Sequence, residues 1–509
     1  MFSLVSMSPI LSSSKRFWMV WTAWMLLVLA IHALTLSISP PVWQDEVQII
    51  DFGRTAIDPG TDWSISWNTV TDSAVIHPLY LGGLIQNVAF SLSNYNILFP
   101  RLLSALGAIV ASTSCLLFLL SLGHDRLRSG VLSSIFLLDP IFVAGYRGDR
   151  VDCWVIAAAF LSCFVLQKSS DRSGPSKESL LCAPLLLLAG AISAIGFSIW
   201  FSFVLLTPLV IWQIANLVSD GEPKRLLSRS PHLLKACLFW LLGFAICFFL
   251  IQAPILVGQP SAYRDLFAAA SRVATGQTLI PAFGAFLASF SRNPLLLLLA
   301  VIAVYLRPRL DFLFFSAIAL VGILKSSVYD HRVVYFLPYL IVHCSLSMNE
   351  WFVSDSTRSA PSWIRLGFSS VLWLALVASI TISLVLRPFN AFATQGFRQL
   401  SSLDDVAMDA VGKRPAIVYL EPWELYVPGR KLGWKMYKPY FGHFSPSQLN
   451  RFDYIITTPS STLLSRLSSR AFSRIGGVWL DRSVGESSNS NSSSQALGYG
   501  PYLIYKNNR

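Results

Sequence analysis

Charged residues are scarce in this chain. Only 13% of its 509 residues are Asp, Glu, Lys or Arg, and 54% are hydrophobic. Soluble domains carry about 25% charged residues. This composition excludes an ordinary string of soluble domains and points to a protein that crosses a bilayer many times.

Other absences narrow the function further. The seven cysteines show no metal-ligand spacing, so we expect neither a zinc site nor disulfides. The sequence has no Gly-rich phosphate loop of the kind that binds nucleotides. It also has no basic stripe with interleaved aromatics, which argues against nucleic acid despite a net charge of +12. Lys and Arg instead collect in loops, as the positive-inside rule requires.

Long apolar runs are what the sequence has in abundance. The first, 17–37, follows Lys15 and Arg16 and is too long for a signal peptide, so we interpret it as a retained helix. Twelve candidate runs can be recognised: 17–38, 75–92, 100–121, 129–146, 151–167, 179–197, 199–216, 236–257, 281–306, 311–324, 332–349 and 364–386.

The basic loops assign an orientation to these runs. With a cytoplasmic N-terminus, the basic loops near 168–177, 224–235, 307–309 and 358 all become cytoplasmic, provided that one early run does not cross. We interpret 129–146 as that run, because Asp139-Pro140 combines a helix breaker with a costly charge. The prediction is an all-α polytopic membrane bundle of about eleven transmembrane helices with its C-terminus outside the cell membrane.

The polar tail predicts a second domain. Residues 1–387 form the predicted transmembrane domain, and 388–509 form a small extracytoplasmic α/β domain. Its segments 415–420, 454–457 and 502–505 are short apolar strands. A helical pattern runs from Thr462 to Ser469.

The first outer loop carries the clearest candidate for chemistry. Pro40-Pro41 stops the first helix, and Asp45 and Glu46 lie near the start of a new short helix. Acidic residues also favour a helix start for electrostatic reasons alone. Two carboxylates at a membrane surface nevertheless suit general-base work on a sugar hydroxyl.

Two further charged residues open the next apolar runs. His77-Pro78 begins the second run and should lie at the outer interface, level with the acid pair. A structural hydrogen-bonding role is the simpler alternative for His77. Arg101 opens the third run, and we interpret it as a cytoplasmic anchor.

The turn between the fourth and fifth runs concentrates charge. Arg147, Asp149, Arg150 and Asp152 lie within six residues, which is expensive at a membrane unless the charges are paired or hydrated. The alternatives are a polar turn or a phosphate-and-sugar site in which arginine binds the anion.

A late outer loop adds a third group. One interpretation of His331, Arg332 and Tyr335 is a polar loop with an interfacial anchor. The other is a site for a specific anionic partner such as a lipid phosphate, because positive charge is disfavoured on this side of the membrane.

These motifs, in this order, resemble the polytopic GT-C glycosyltransferases, nearest to the family 39 type with its protein O-mannosyltransferases and lipid A aminoarabinose transferases. The resemblance covers about residues 15–350. It implies an enzyme that takes a sugar from a polyprenyl-phosphate donor at the outer face and transfers it, with inversion, to a lipid, glycan or protein acceptor. It assigns Asp45 as the base with Glu46 assisting, and Arg147, Arg150 or Arg332 to the phosphate.

The chain departs from the family pattern at two places. Leu79 replaces a second proline, and Arg332 is separated from Tyr335. The resemblance leaves room for a divalent metal, magnesium or manganese, although no further acidic cluster requires one. A transporter or flippase of lipid-linked saccharides and a non-catalytic membrane scaffold remain as alternatives.

Overall fold

A computed structural model describes residues 14–58, 64–68, 72–171, 182–219, 229–265, 278–306, 308–326, 330–353, 362–441, 444–467, 470–480 and 499–509. The chain contacts divide into two compact units. The first comprises residues 1–32, 104–146 and 151–387, and the second comprises 33–103, 147–150 and 388–509. The second unit is therefore discontinuous, because 33–103 and 147–150 are grouped with the tail.

The first unit is helical. Its helices are α1 (Ser14–Ala33), most of α4 (Leu98–Ser121), α5 (Arg126–Leu138), α6 (Pro140–Arg147), α7 (Asp152–Asp171), α8 (Ala183–Ile199), α9 (Thr207–Val218), α10 (Ser230–Gly258), α11 (Leu279–Ser289), α12 (Leu295–Leu306), α13 (Leu310–Lys325), α14 (Asp330–Val333), α15 (Leu337–Val353) and α16 (Ser362–Ile380). A π-helical turn, Thr381–Leu386, continues α16 into α17 (Arg387–Ala393). Short 3-10 segments precede α9 and α15.

Many of these helices suit a bilayer. Within the described ranges, six helical segments are long and apolar enough to cross, or eight if each of two bent pairs is one span. The protein is therefore a multi-pass membrane protein, while the number eleven stays a prediction. One bent pair is α5 and α6, which meet at 57°. The break predicted at Asp139-Pro140 is thus confirmed, because helix α5 ends at Leu138 and Asp139 accepts a hydrogen bond from the Ile141 N–H.

Small residues bring helices α8 and α10 together. A Cβ on Gly190 would collide with the Trp240 carbonyl, and one on Gly243 would collide with the backbone of Leu187. Such backbone-to-backbone approach is typical of packing between membrane helices, where apolar burial supplies little driving force.

The second unit contains a seven-stranded mixed sheet. Its strands are β1 (Ser64–Asn68), β2 (Ser73–Ala74), β3 (Ile417–Leu420), β4 (Lys435–Phe441), β5 (Tyr454–Thr457), β6 (Phe472–Arg474) and β7 (Leu503–Asn507), in the order β2-β1-β4-β3-β5-β7-β6. Strands β1, β4, β3 and β5 are parallel, and the remaining three pair antiparallel.

The predicted strands of the tail are confirmed as β3, β5 and β7. The predicted helix from Thr462 is a 3-10 helix that ends at Arg466, and residues 468–469 lie outside the described ones. The sheet also recruits β1 and β2 from the loop after α1, which the sequence pattern did not reveal.

Alternate residues of the parallel strands point to two apolar layers, as expected when helices cover both faces of a sheet. Val418 and Leu420 join one cluster, and Tyr419 joins the other. The helices of this unit are α2 (Gln44–Ile57), α3 (Leu81–Leu92), α18 (Leu400–Ala410), α19 (Tyr426–Leu432) and α20 (Pro446–Leu449).

Helices α2 and α3 touch through glycine. A Cβ on Gly53 would overlap the Gly83 carbonyl, so the two backbones are in direct contact. Helix α3 belongs to the run 75–92 that we counted as a span. With 12 residues it is about 18 Å long, short of the roughly 30 Å of a hydrocarbon core.

Candidate active site

Helix α2 begins one residue before the acid pair. Trp43 is extended, and its N–H donates to Glu46 Oε2 at 3.3 Å, which closes the first turn. Asp45 and Glu46 therefore lie in the first turn, where the helix dipole stabilises negative charge. The short helix predicted after the proline pair is confirmed.

A buried carboxylate fixes helix α2 against the sheet. Asp51 Oδ1 accepts from Arg54 at 3.0 and 3.1 Å and from the Tyr426 hydroxyl at 3.2 Å. Its other oxygen accepts from the Ser64 hydroxyl at 2.5 Å and from the Ser66 N–H at 3.0 Å. The Arg54 bonds lie within α2, whereas the bonds from Ser64 and Ser66 tie the helix to β1 and the bond from Tyr426 ties it to α19.

Glu46 is fully buried and forms an ion pair with Arg101. The Arg101 Nε and Nη2 atoms donate to the two carboxylate oxygens at 2.5 and 3.0 Å, and Nη1 donates to the Leu36 carbonyl at 2.5 Å. Both side chains have no exposed surface. A fully buried carboxylate cannot reach a substrate, so the geometry does not favour the assisting catalytic role that the resemblance gave to Glu46. The ion pair instead holds the neighbouring chain segments in place.

The ion pair also corrects the interpretation of Arg101. A cytoplasmic anchor would lie on the opposite side of the membrane from the acid pair, whereas the guanidinium contacts Glu46 directly. The sequence offered one signal, an arginine at the start of an apolar helix, but not its partner.

Asp45 is the accessible member of the acid pair. Its side chain is 27% exposed and accepts a hydrogen bond from Arg150, which is 6% exposed. The Arg150 guanidinium also lies over the Trp43 ring, 5.9 Å from its centroid, and the Trp43 indole donates to the Gly148 carbonyl at 3.3 Å. A partly exposed carboxylate thus lies beside a cation held in a fixed position.

Arg147 and Asp149, from the same turn, are fully buried. Arg147 donates to the Thr35 hydroxyl at 2.9 Å and to the Ser39 carbonyl at 2.7 Å, so it clasps the chain that leads into the acid pair. Asp149 has a φ of 56°, in the left-handed region that Asp tolerates better than most residues. This turn of the backbone sets the direction of Arg150.

His77 packs on helix α2, away from the acid pair. Its ring lies 5.1 Å from Phe52, which is about 10 Å further along the helix than Asp45. The Nδ1–H donates to the Leu79 carbonyl at 3.0 Å. Burial lowers the pKa of His77 to about 4, so the imidazole is neutral at physiological pH and supplies no charge for a phosphate.

Two other predicted residues meet within the helical unit. The Tyr335 hydroxyl donates to Asp152 Oδ1, and both side chains are buried. This bond joins the start of α7 to the 3-10 segment before α15, a contact that the sequence did not predict. Arg332 is half-buried, and the side chain of His331 lies outside the described residues.

The segment before β7 completes the support of the acid pair. The Tyr499 hydroxyl accepts the Val42 N–H at 3.2 Å, and burial raises the pKa of Tyr499 to about 12, so it remains a protonated phenol. Because Leu503 pairs with Thr457, Tyr499 lies beyond the carboxyl end of β5. The acid pair is therefore placed at the carboxyl edge of the parallel sheet, where α/β sheets bind their ligands.

A metal site of the protein's own is not evident in the described part of the chain. No three His, Cys, Asp or Glu side chains there come together as ligands. The two carboxylates of the acid pair are both committed to arginines, which does not fit a divalent cation, and we derive no step through one.

The fold is similar to that of a protein of known structure, ArnT. ArnT from Cupriavidus metallidurans bound to undecaprenyl phosphate superimposes with a TM-score of 0.61 at 12% identity, covering 97% of this chain and 98% of that one. The apo state of the same protein gives 0.58 at 12% identity, with the same coverage. The predicted resemblance to GT-C enzymes is thus confirmed at the level of the fold. Scans against protein-family models and curated sequences give no match.

Proposed function

We propose that this protein is an integral membrane glycosyltransferase that moves a sugar from a polyprenyl-phosphate donor to an acceptor hydroxyl at the outer face of the membrane, with inversion. The observation that carries the proposal is the pairing of a partly exposed Asp45 with a nearly buried Arg150. A fold similar to that of ArnT, which was solved with undecaprenyl phosphate, supports a lipid-phosphate donor.

Asp45 acts as the general base. Its carboxylate takes the proton of the acceptor hydroxyl as that oxygen forms a bond to the anomeric carbon of the donor. The bond between this carbon and the phosphate oxygen breaks, and its electron pair leaves with the polyprenyl phosphate. One direct displacement inverts the anomeric centre, and the proton on Asp45 is then lost to water.

Arg150 stabilises the departing phosphate. Its guanidinium carries a permanent charge, offers several N–H donors and is positioned before the reaction by Asp45 and Trp43. A preorganised donor of this kind contributes about 3–4 kcal/mol to transition-state stabilisation. Arg332, which is half-buried, is a second candidate for the lipid phosphate.

Glu46, Arg101 and Arg147 act as positioning residues. They are buried, and they hold the first turn of α2 and the chain that enters it. The Asp152–Tyr335 bond has the same role for the two charged loops of the helical unit.

Transfer by the full-length protein in liposomes tests the proposal. Undecaprenyl phosphates carrying radiolabelled hexoses or pentoses are supplied as donors, and a lipid and glycan extract is supplied as acceptor. We expect label to enter the extract while free undecaprenyl phosphate accumulates. A flippase would move the donor across the bilayer without breaking this bond, so intact donor with every sugar would refute the proposal.

Two matched Asp→Asn variants test whether Asp45 acts as the base. Asp45→Asn keeps the size of the side chain but removes its basicity, and we expect a loss of turnover of at least about 100-fold. Asp404→Asn, on an exposed acid paired with Lys431, should leave turnover unchanged. Normal turnover by Asp45→Asn would refute the base assignment.

A further inference from the structure

A second polar group lies at the same edge of the sheet as the acid pair. Strands β3 and β5 are neighbours in the sheet. The chain continues from β3 to β4, which lies on the far side of β3 from β5, whereas β7 lies on the far side of β5 from β3. The connections from β3 and from β5 therefore run toward opposite edges of the sheet, which makes the carboxyl ends of these two strands a topological switch point, where open α/β sheets bind their ligands. Glu421, Trp423, Lys438 and Ser461 contact one another at this switch point, and we call them the switch-point cluster.

The contacts of the cluster are specific. The carboxylate of Glu421 accepts from the Thr457 hydroxyl and, at 2.9 Å, from the Ser461 hydroxyl. Lys438 donates to the Glu421 carbonyl, and its Nζ lies 3.4 Å from the centroid of the Trp423 ring. Strand ends and loops that are far apart in sequence thus hold one carboxylate, one amine and one indole together.

Several hydrogen-bond donors and acceptors of the cluster are not used by the residues that the structure describes. Among the residues that the structure describes, Lys438 donates one of its three N–H groups, and the indole N–H of Trp423 has no partner. The carboxylate of Glu421 can accept about four hydrogen bonds and receives two from the described residues. Glu421, Trp423 and Lys438 are half-buried, so a ligand can reach them.

The mixture of charges indicates the class of ligand. Glu421 and the neighbouring Glu424 would repel an anion, and Lys438 would repel a cation. Burial also lowers the pKa of Lys438 to about 7, which weakens its hold on an anion further. A neutral ring rich in hydroxyl groups satisfies donors and acceptors at once, and the indole adds an apolar surface.

We propose that the switch-point cluster binds a neutral sugar residue of the acceptor. The role as acceptor site depends on the proposed function, whereas the binding of a sugar does not. The cluster and the acid pair share the carboxyl edge: Glu424, which is half-buried and follows Trp423, accepts from the Tyr502 hydroxyl at 2.5 Å, and the hydroxyl of Tyr499, three residues earlier, accepts from the Val42 N–H. A glycan held by the cluster would thus extend along the edge that also carries Asp45.

A glycan array tests the binding directly. Full-length protein in detergent is applied to printed neutral and uronic-acid-containing oligosaccharides. We expect binding to neutral glycans, and a weakening of about tenfold in Lys438→Met and in Trp423→Phe, which keeps a ring but lacks the N–H. Lys506→Met, on an exposed lysine of β7, is the matched control and should bind like the wild type. Binding of acidic glycans only, no binding, or binding unaffected by both variants would overturn the inference.

Transfer kinetics separate this inference from the proposed function. In Lys438→Met we expect the KM for the acceptor to rise about tenfold while kcat is retained, because Lys438 does not touch the reacting atoms. An unchanged acceptor KM in Lys438→Met, together with lost transfer in Asp45→Asn, would refute the acceptor site but not the proposed enzyme activity. Neutral-glycan binding that depends on Lys438, without transfer from any donor, would refute the enzyme and leave the sugar site standing.

Discussion

Arg101 and Glu46, 55 residues apart in the sequence, form a bidentate ion pair with both side chains fully buried. Removing one partner leaves an uncompensated buried charge, which costs about 3–5 kcal/mol. We therefore expect Glu46→Gln and Arg101→Met each to lower the melting temperature in detergent. The double variant Glu46→Leu/Arg101→Met should recover much of this loss, because no charge is left unpaired. Equal or larger destabilisation in the double variant would contradict the pairing.

Arg150 offers a test of phosphate stabilisation. Arg150→Gln keeps a polar side chain but removes the charge, and we expect kcat to fall by about 10²–10³ with little change in melting temperature. Arg128→Gln, on a half-exposed residue paired with Asp125, is the matched control. Comparable activity losses in the two variants would argue against a specific role for Arg150.

The buried His77 makes stability depend on pH. Unfolded histidine takes up a proton near pH 6.5, whereas burial lowers the pKa of His77 to about 4 in the folded protein. Between these values the unfolded state binds more protons, so stability falls as pH drops from 6.5 to 4. The shift corresponds to roughly 3 kcal/mol.

Replacing the imidazole tests this dependence. His77→Asn retains an N–H donor for the Leu79 carbonyl but does not titrate. We expect the variant to lose less stability than the wild type between pH 6.5 and 4, as measured by denaturant unfolding at several pH values. Parallel pH curves for the two proteins would show that His77 does not contribute.

The Glu46–Arg101 pair also has a consequence for topology. If both residues lie outside, the run 75–92 between them does not cross the membrane. An odd number of spans must still separate the outer loop before it from the cytoplasmic loop near 168–177. The segment 126–147 must then cross the membrane, contrary to our interpretation from the sequence. We expect Leu127→Cys, on an exposed position of α5, to react with an impermeant thiol reagent only after the membrane is opened. Thr462→Cys should react from outside. Reaction of Leu127→Cys in sealed cells, above the background of the native cysteines, would restore 129–146 as the run that does not cross.

The predictions that succeeded depend on local patterns. The start of helix α2 at the proline pair, the break at Asp139-Pro140 and strands β3, β5 and β7 each follow from the residues at that place. The predictions that failed, or that the sequence could not make, depend on distant partners. Arg101 opens an apolar run and looks like an anchor until Glu46 is seen beside it.

Strand β1 shows the same limit within the sheet. Its five residues give little signal alone, because its pairing partner β4 lies near the other end of the chain. Within the acid pair, residue type and spacing alone do not distinguish Asp45 from Glu46, and only the family resemblance ranked them. The tertiary structure distinguishes the two residues, because Glu46 is buried against Arg101 whereas Asp45 is partly exposed beside Arg150.

The parallel pairing of β1 with β4 sets the earliest time at which this edge of the sheet can form during synthesis. The ribosome must add the whole chain between Asn68 and Lys435 before this edge of the sheet can close. At about 5–20 residues per second this takes roughly 20–70 s, during which the membrane helices can already be inserted. The helix that carries Asp45 is thus synthesised early, whereas the sheet edge beside it can close only after Lys435 has been added.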